Sequence, residues 1–451
     1  HRATGKSHSD HRTCGNLCNL TASRRQPELY CAAMTSILFT SVRVFDGVNE
    51  VLSAPSDVLV SDNAIERISV APITAGSDTA VIDGGGRVLM PGLIDAHWHT
   101  CFVGVSAPVA LTADVGYIHL IAGREAERAL LRGFTSVRDC GGPSFALKRA
   151  IDEGVVPGPR IYPSGAMISQ TSGHGDFRAR HEVPRDPCSH LSHGEVIGGS
   201  IIADGVTEVL RAAREQLLLG ASQIKVMAGG GVSSSYDPLD VTQYTEPEVR
   251  AAVDAAENWG TYVMVHAYTP RAVQQAIRAG VKSIEHGHLL DEETVAMMAE
   301  HDVWWSLQPF LEGPGAPPLP PANQEKRRQV NDGTDAAYRL AIKHGVKVAW
   351  GTDFLFEPKN AEGQGSRLVD ITRWYSPFEA LRMATSRNAE LLALSGPRNP
   401  YPGRLGVVEE NALADLLLVD GNPLEHIELL ADPASNLKVI VKDGSIVKNT
   451  L

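Results

Sequence analysis

Five side chains in this sequence have the types and the spacing to hold a metal ion, and a lysine accompanies them. His97 and His99 flank one residue in Asp95-Ala96-His97-Trp98-His99. Lys225 lies inside the apolar run IKVM, and His266, His286 and Asp353 close three later apolar runs. Side chains alternate along an extended strand, so a His-x-His pair points both rings to one side and both can reach one ion. Imidazole nitrogens with a carboxylate oxygen are the donor mixture that borderline divalent ions such as Zn²⁺ take. Burying an unpaired ammonium is costly, so Lys225 must pair with a carboxylate, lose its proton or become another group. Each piece alone is weak. A His-x-His tripeptide arises by chance, and a single histidine at a strand end is most often a satisfied polar residue. The set as a whole is hard to produce without a metal.

These residues need elements that bring them to one place. From Leu89 to Leu394 short apolar runs alternate with helical stretches. The eight strand candidates are LMPGLIDAH, GFTSVRD, RIYPSG, SQIKVMA, TYVMVHA, KSIEHG, DVWWSLQ and VKVAWGTD. Strand and helix repeated eight times predict a parallel sheet closed into a (β/α)8 barrel, an α/β fold whose active sites lie at the C-terminal ends of the strands. Those ends carry the six residues, on strands one, four, five, six and eight. The Pro-rich stretch FLEGPGAPPLPPANQ follows strand seven and is expected to be a loop over that face. From Thr40 to Val88, and again in ADLLLVDG, KVIVKDG and SIVKN, the pattern is that of short antiparallel strands with Asp-Gly and Gly-Gly turns. The expected domains are a composite β-sandwich from 34–88 plus 402–451 and a barrel over 89–401.

Composition narrows the partners. A formal charge of −12 argues against a nucleic-acid surface, which needs a basic stripe. No apolar run approaches the roughly 20 residues of a membrane span. Residues 1–33 are polar, basic and aperiodic, without the apolar region of a secretory signal. Met34 is therefore expected to be the natural start, with a leader that is foreign or comes from a misassigned upstream start. Cys14, Cys18 and Cys31 fall in that leader. Cys101, Cys140 and Cys188 are scattered and imply no disulfide framework, which fits a reducing cytoplasm.

PGLIDAHWH, the strand-four lysine, the two later histidines and the Gly-Thr-Asp of strand eight resemble the amidohydrolase superfamily, and ADLLLVDGNPLE is similar to that family's closing sandwich strands. SGAMISQTSGHGD and IKVMAGGGVSSSYDP resemble a branch containing prolidase-like dipeptidases, ochratoxin-hydrolysing amidases and phenylurea and thiocarbamate hydrolases. The likeness implies a hydrolase of an amide-type C–N bond, in an aryl amide, phenylurea, carbamate, N-acyl amino acid or dipeptide. It implies that His97, His99 and Asp353 hold one divalent ion, most often Zn²⁺, and that His266 and His286 hold a second. Lys225, carboxylated by CO2, would bridge them. A bridging water acidified by the metals would attack, and Asp353 would take its proton and pass it to the leaving nitrogen. The resemblance also implies a homo-oligomer.

Other residues carry two readings each. Tyr236 is either a carbonyl-polarising hydroxyl or a surface tyrosine, and His174 either touches substrate or orders its loop. Tyr268 and His288 follow ligand positions by two residues and either line the pocket or support it. Phe354 and Phe356 follow Asp353 and suggest an apolar wall, whereas Trp304 and Trp305 read as core. Gly229-Gly230-Gly231 is expected to let its loop turn beneath the metals. No arginine sits clearly at a strand end on the active face, and Arg138 reads as one of a buried pair. The aromatic wall therefore favours a neutral, partly aromatic substrate over a charged dipeptide. A cyclic-amide hydrolase or deaminase on the same scaffold is the alternative, and a non-catalytic scaffold homologue a third reading. The leader is expected to be dispensable. A chain starting at Met34 should keep turnover and thermal midpoint, and loss of either would mean the leader packs against the rest.

Overall fold

The computed structural model describes residues 36–182, 190–234, 236–311 and 319–451. The leader, the start at Met34, Cys188 and part of the Pro-rich stretch lie outside the described residues. Eighteen strands are formed among them: β1 (Ser36–Val44), β2 (Ser56–Ser61), β3 (Ala64–Ser69), β4 (Thr79–Asp83), β5 (Val88–Pro91), β6 (Leu93–Trp98), β7 (Phe134–Asp139), β8 (Arg160–Tyr162), β9 (Met167–Ser169), β10 (Ser200–Ile202), β11 (Ile224–Met227), β12 (Val263–Ala267), β13 (Ser283–His286), β14 (Trp304–Leu307), β15 (Val348–Trp350), β16 (Leu416–Val419), β17 (Leu437–Lys442) and β18 (Ser445–Asn449).

The two ends of the chain build one sheet, in the order β18-β17-β16-β5-β1-β2-β3 with β4 beside β1. Alternate residues of β1 and β2, among them Ile37, Phe39, Val58 and Val60, face a core of their own, as period-2 patterning requires. Between the ends lies the barrel. LMPGLIDAH is two strands, not one: β5 joins the end sheet and β6 the barrel. They part at Gly92, where a Cβ would sit 2.1 Å from the Thr135 hydroxyl. Only a residue without a side chain lets the chain pass Thr135 so closely.

Parallel pairing runs β6-β7-β8 and β10-β9-β11-β12-β13-β14-β15. Two seams close the ring. At one, the Asp353 amide donates to the His97 carbonyl at 2.8 Å. At the other, the Ser222 amide donates to the Pro163 carbonyl at 2.8 Å and the Gln223 side chain donates to the Tyr162 carbonyl at 2.9 Å. The run expected as strand three ends at Tyr162; after the Pro163–Ala166 bend β9 continues and recruits β10, a strand too short to show a period.

The strands are buried throughout, so helices must cover them. The helix Glu246–Asn258 shows why they form. Thr245 and Glu248 make a capping box, Pro247 sits in the first turn, and Val249, Ala252, Val253 and Ala256 recur on the buried face. Trp304 and Trp305 are core, as their run suggests.

Barrel and end sheet are tied by charge. Arg160 is buried and donates to Asp415 at 2.9 and 3.2 Å and to Asp443 at 2.6 Å, while the Asp443 amide donates to Asp415 at 2.7 Å. Removing one partner of a buried pair leaves the other charge stranded. Arg160→Met should therefore cost about 3–5 kcal/mol in chemical denaturation, with metal content per folded molecule unchanged. A loss under about 1 kcal/mol, typical of a surface pair, would contradict this account of the joint.

Candidate metal centre

Four imidazoles converge at the C-terminal mouth of the barrel. The ring centroids of His97 and His99 are 5.4 Å apart, of His97 and His286 4.9 Å, and of His266 and His286 4.6 Å. Asp353 completes the cluster. Its Oδ1 lies 3.2 Å from His97 Nε2 and 3.3 Å from His99 Nε2, and its Oδ2 lies 3.8 Å from His286 Nδ1. Ligand atoms of His97, His286 and Asp353 all fall within 4.8 Å of one another.

Each ring is pinned by one nitrogen. His97 Nδ1 bonds Glu285 at 2.8 Å, His99 Nδ1 the Gly141 carbonyl at 3.1 Å, His266 Nε2 the Gly230 carbonyl at 3.0 Å and His286 Nδ1 the Gln308 side-chain oxygen at 2.8 Å. All four partners accept, so the pinned nitrogen carries the proton and the opposite one keeps its lone pair. Histidines that ligate metals are oriented in this way. His97 Nε2 is buried, faces Asp353 Oδ1 and has no hydrogen-bond partner among the described residues, so its lone pair is placed to ligate a cation. The donor set fits a divalent ion.

Lys225, 1% exposed, projects from β11 among these rings, and its charge acts on His97, His266, His286 and Glu285. No carboxylate forms an ion pair with it among the described residues. Of the options open to a buried lysine, pairing is the one this arrangement does not supply.

Burial drives His266 and His286 well below their ordinary pKa, so both are neutral and able to ligate. Burial alone would raise the Asp353 carboxyl, but the His97, His286 and His99 rings around it hold it well below the usual carboxylate range. Its side chain keeps 18% exposure toward the cavity. His286 and Asp353 have φ of +76° and +55°, a left-handed backbone costing about 1–3 kcal/mol at a non-glycine residue. Gly351 makes the close approach of the strand-eight loop possible, since a Cβ there would lie 2.5 Å from the His97 amide. Asp95, fully buried, binds the two motifs together: it accepts from the His97 amide, the Thr352 amide and hydroxyl and the Gln364 side chain.

The cluster opens into a cavity of about 1390 Å³. Tyr268 is buried between the ligand candidates, stacked on His286 at 5.1 Å and edge-on to His266 at 5.2 Å. His174 stacks on His266 at 4.1 Å and faces the cavity. His288 does not line it. Its Nε2 donates to the Gln308 carbonyl at 2.9 Å, its ring packs on Phe310, and burial lowers its pKa to about 4. Tyr236 stands at the rim, 47% exposed, with the Arg180 guanidinium 4.5 Å over its ring. Phe354 lines the cavity and packs on Trp98. The Gly229–Gly231 run has no left-handed residue. It is glycine for close approach: a Cβ on Gly231 would lie 2.0 Å from the His174 ring, and one on Gly230 1.8 Å from the Pro238 carbonyl.

Sequence reading missed two buried supports, Glu285 and Gln308, while Arg138 is one of a buried pair as read. Glu285 pins His97 and is held in turn by Arg138, whose guanidinium reaches its oxygens at 2.8 and 2.7 Å; Gln308 pins His286. Adjacency was the available signal, since Glu285 directly precedes a ligand candidate. Arginines also line the cavity, among them Arg178, Arg180 and Arg327. They lie on the loop after strand three and the helix after strand seven, away from the strand ends where an anchor was sought.

Glu285 sits well below its ordinary pKa of 4.5, burial being outweighed by Arg138 and His97. A depressed carboxylate contributes stability that is full above its unfolded value and is lost as pH falls through the folded one. Glu285→Gln should flatten that acid limb in the metal-free protein, cost about 3–5 kcal/mol at neutral pH by leaving Arg138 unpaired and weaken metal binding about 10–100-fold. Unfolding curves across acid pH with metal titration check this. An unchanged acid limb would refute the assignment.

Comparison with known proteins agrees with the geometry. Over 386 residues the chain is 33% identical to the ochratoxinase of Aspergillus niger, covering 80% of this chain and 76% of that one. The crystal structure of a prolidase complexed with N-methylphosphonate-L-proline is 35% identical, with a TM-score of 0.84 over 92% of this chain and 100% of that one. Phenylurea hydrolase B, 18% identical with a TM-score of 0.71 over 92% of this chain and 97% of that one, shares the fold. The amidohydrolase family model matches residues 88–447. With that match spanning barrel and end sheet, this chain belongs to the amidohydrolase family and is a hydrolase.

Proposed function

We propose that the protein hydrolyses an amide bond joining an acyl group to an amino acid, in a dipeptide or an N-acyl amino acid. The observation that carries this is four imidazoles, each pinned by one nitrogen, around Asp353 and an ion-pair-free Lys225, at the base of a cavity with arginines in its wall. The relatives named ochratoxinase and prolidase support it. The aromatic wall alone favours a neutral aryl amide or phenylurea; Arg178 is paired with Asp176 at 2.6 Å, but Arg180 and Arg327 also line the cavity, and their charge turns the preference toward amino-acid amides. An apolar or aromatic acyl group suits Phe354 and its neighbours.

His97, His99, His266, His286 and Asp353 would hold one or two divalent ions, Zn²⁺ by donor type, with Lys225 carboxylated between them. The bound metal supplies a Lewis acid that lowers the pKa of water and polarises a carbonyl. Asp353, ionised at neutral pH and partly open to the cavity, accepts the water's proton and returns it to the leaving nitrogen. Glu285 and Gln308 hold the rings in the required tautomers. His174 and Tyr268, against the ligand rings, contact the substrate; Tyr236, at the rim, meets its outer part. His288 supports Tyr268 and Phe310.

Screening the metal-loaded enzyme on dipeptides, N-acyl amino acids, anilides and phenylureas tests the substrate class. Turnover confined to anilides or phenylureas, or ammonia release from a cyclic substrate, would reject it. Asp353→Asn should keep much of the metal and lose about two to four decades of turnover. Lys225→Ala should lose metal and activity together, with partial rescue by short carboxylic acids. Full activity with an unmodified Lys225 ammonium would remove the carbamate from this scheme.

A further inference from the structure

The loop after β11 carries Ser234, the hydroxyl 2.7 Å from His174 Nδ1, and Tyr236. It has little structure of its own. A buried carboxylate, Asp237, accepts from the Gly231 amide at 2.9 Å and lies 3.4 Å from His174 Nδ1. The loop's stem is held by the Gly230 amide, which donates to the Val241 carbonyl at 3.2 Å, and by Gln243, which donates to Asp237 at 3.4 Å; its tip is held from the helix Pro321–His344, which follows strand seven. Lys326 Nζ donates to the carbonyls of Gly231, Ser234 and Asp237 at 3.0, 3.0 and 2.6 Å. Asn323 donates to those of Val232 and Ser234 at 2.6 and 2.8 Å.

An ammonium has three N–H groups, and Lys326 directs all three at one loop. Lys326 and Asn323 do not line the cavity, although Gln324, Glu325 and Arg327 do. They grip the loop from behind. The helix is itself seated firmly: a Cβ on Gly333 would lie 2.2 Å from the His288 carbonyl, and the Thr334 hydroxyl donates to the Phe310 carbonyl at 3.0 Å.

We propose that Lys326 is a positioning residue that, with Asn323, clamps the strand-four loop from the helix after strand seven and so fixes Ser234, His174 and Tyr236 over the metal centre. This rests on the amide-hydrolase reading for its effect on turnover but not for its effect on the loop. Lys326 cannot contact the substrate, and acts through the carbonyls it holds. Replacing it with an apolar side chain of similar length strips three donors from the tip of a glycine-rich loop, where the Gly231, Ser234 and Asp237 carbonyls all lean on this one ammonium. A misplacement of about 1 Å at catalytic groups costs on the order of 100-fold in rate.

The experiment compares wild type, Lys326→Met, Lys326→Arg and, as a control on the same helix, Lys343→Met, each metal-loaded. Hydrogen exchange of the amides over 231–237 is read alongside kcat, KM and metal content. Lys326→Met should speed exchange in that loop at least about ten-fold, a local opening, and lower kcat/KM about 10–100-fold, with metal content and thermal midpoint near wild type. Lys326→Arg should restore part of both, and Lys343→Met should change neither. Unchanged loop exchange in Lys326→Met overturns the proposal whatever the activity, as does faster exchange with wild-type kcat and KM. A wild type inactive on every amide tested defeats the functional reading instead, while loop exchange still decides the clamp.

Discussion

A neutral imidazole offers one donor and one acceptor, so an acceptor placed against one nitrogen decides what the other can do. Much of this barrel mouth follows from meeting that requirement four times. Gln308 stands one strand away from the His286 ring it holds, because β13 and β14 pair in parallel, whereas Glu285 on β13 reaches His97 on β6 across the barrel interior. Where no side chain serves, the backbone does, and the Gly141 and Gly230 carbonyls take the part. Glycine at 230 and 231 lets the carbonyl come that close without a Cβ meeting Pro238 or His174. Buried lone pairs aimed at one another in this way are unfavourable without a cation to share.

The cost of this arrangement is carried by the surrounding fold. Glu285 is a fully buried carboxylate and persists because Arg138 is buried opposite it; Arg138 is further engaged by the Ala96 carbonyl and by Tyr262 and Ser283. Left-handed backbone at His286 and Asp353 persists because flanking contacts over-determine it. The His286 carbonyl accepts from Trp305 Nε1 at 2.7 Å, and the Asp353 amide donates to His97. Strained residues at strand ends, held by a rigid barrel beneath, are what aims ligands at one point.

Period and residue type made the barrel, the end sheet and the cluster of ligand candidates legible in the sequence. Helix caps such as Thr245 with Glu248, and the eight apolar runs, are local signals. The supports were not legible, for a physical reason. Arg138 and Glu285 lie 147 positions apart, and nothing in either neighbourhood says which charge meets which. The β5–β6 break was missed because Gly92 is required by Thr135, a contact across strands. The glycine run was read as a turn because glycine usually signals positive φ, whereas here the missing Cβ matters. The arginines of the cavity wall lie on loop and helix, where neither spacing nor period predicts direction.

That division bears on substrate choice. The ligand cluster is set by strand ends, which the barrel places within narrow limits. The wall is set by the loop after strand three, the loop after strand four and the helix after strand seven, elements free to vary without disturbing the core. In this chain the last two are joined by donors on the helix and carbonyls on the loop. Such a joint depends little on which side chains the loop presents to the cavity, since only its backbone is held. Ser234 and Tyr236 can therefore change identity while their positions stay fixed, so the wall can be altered around an unchanged cluster of ligand candidates.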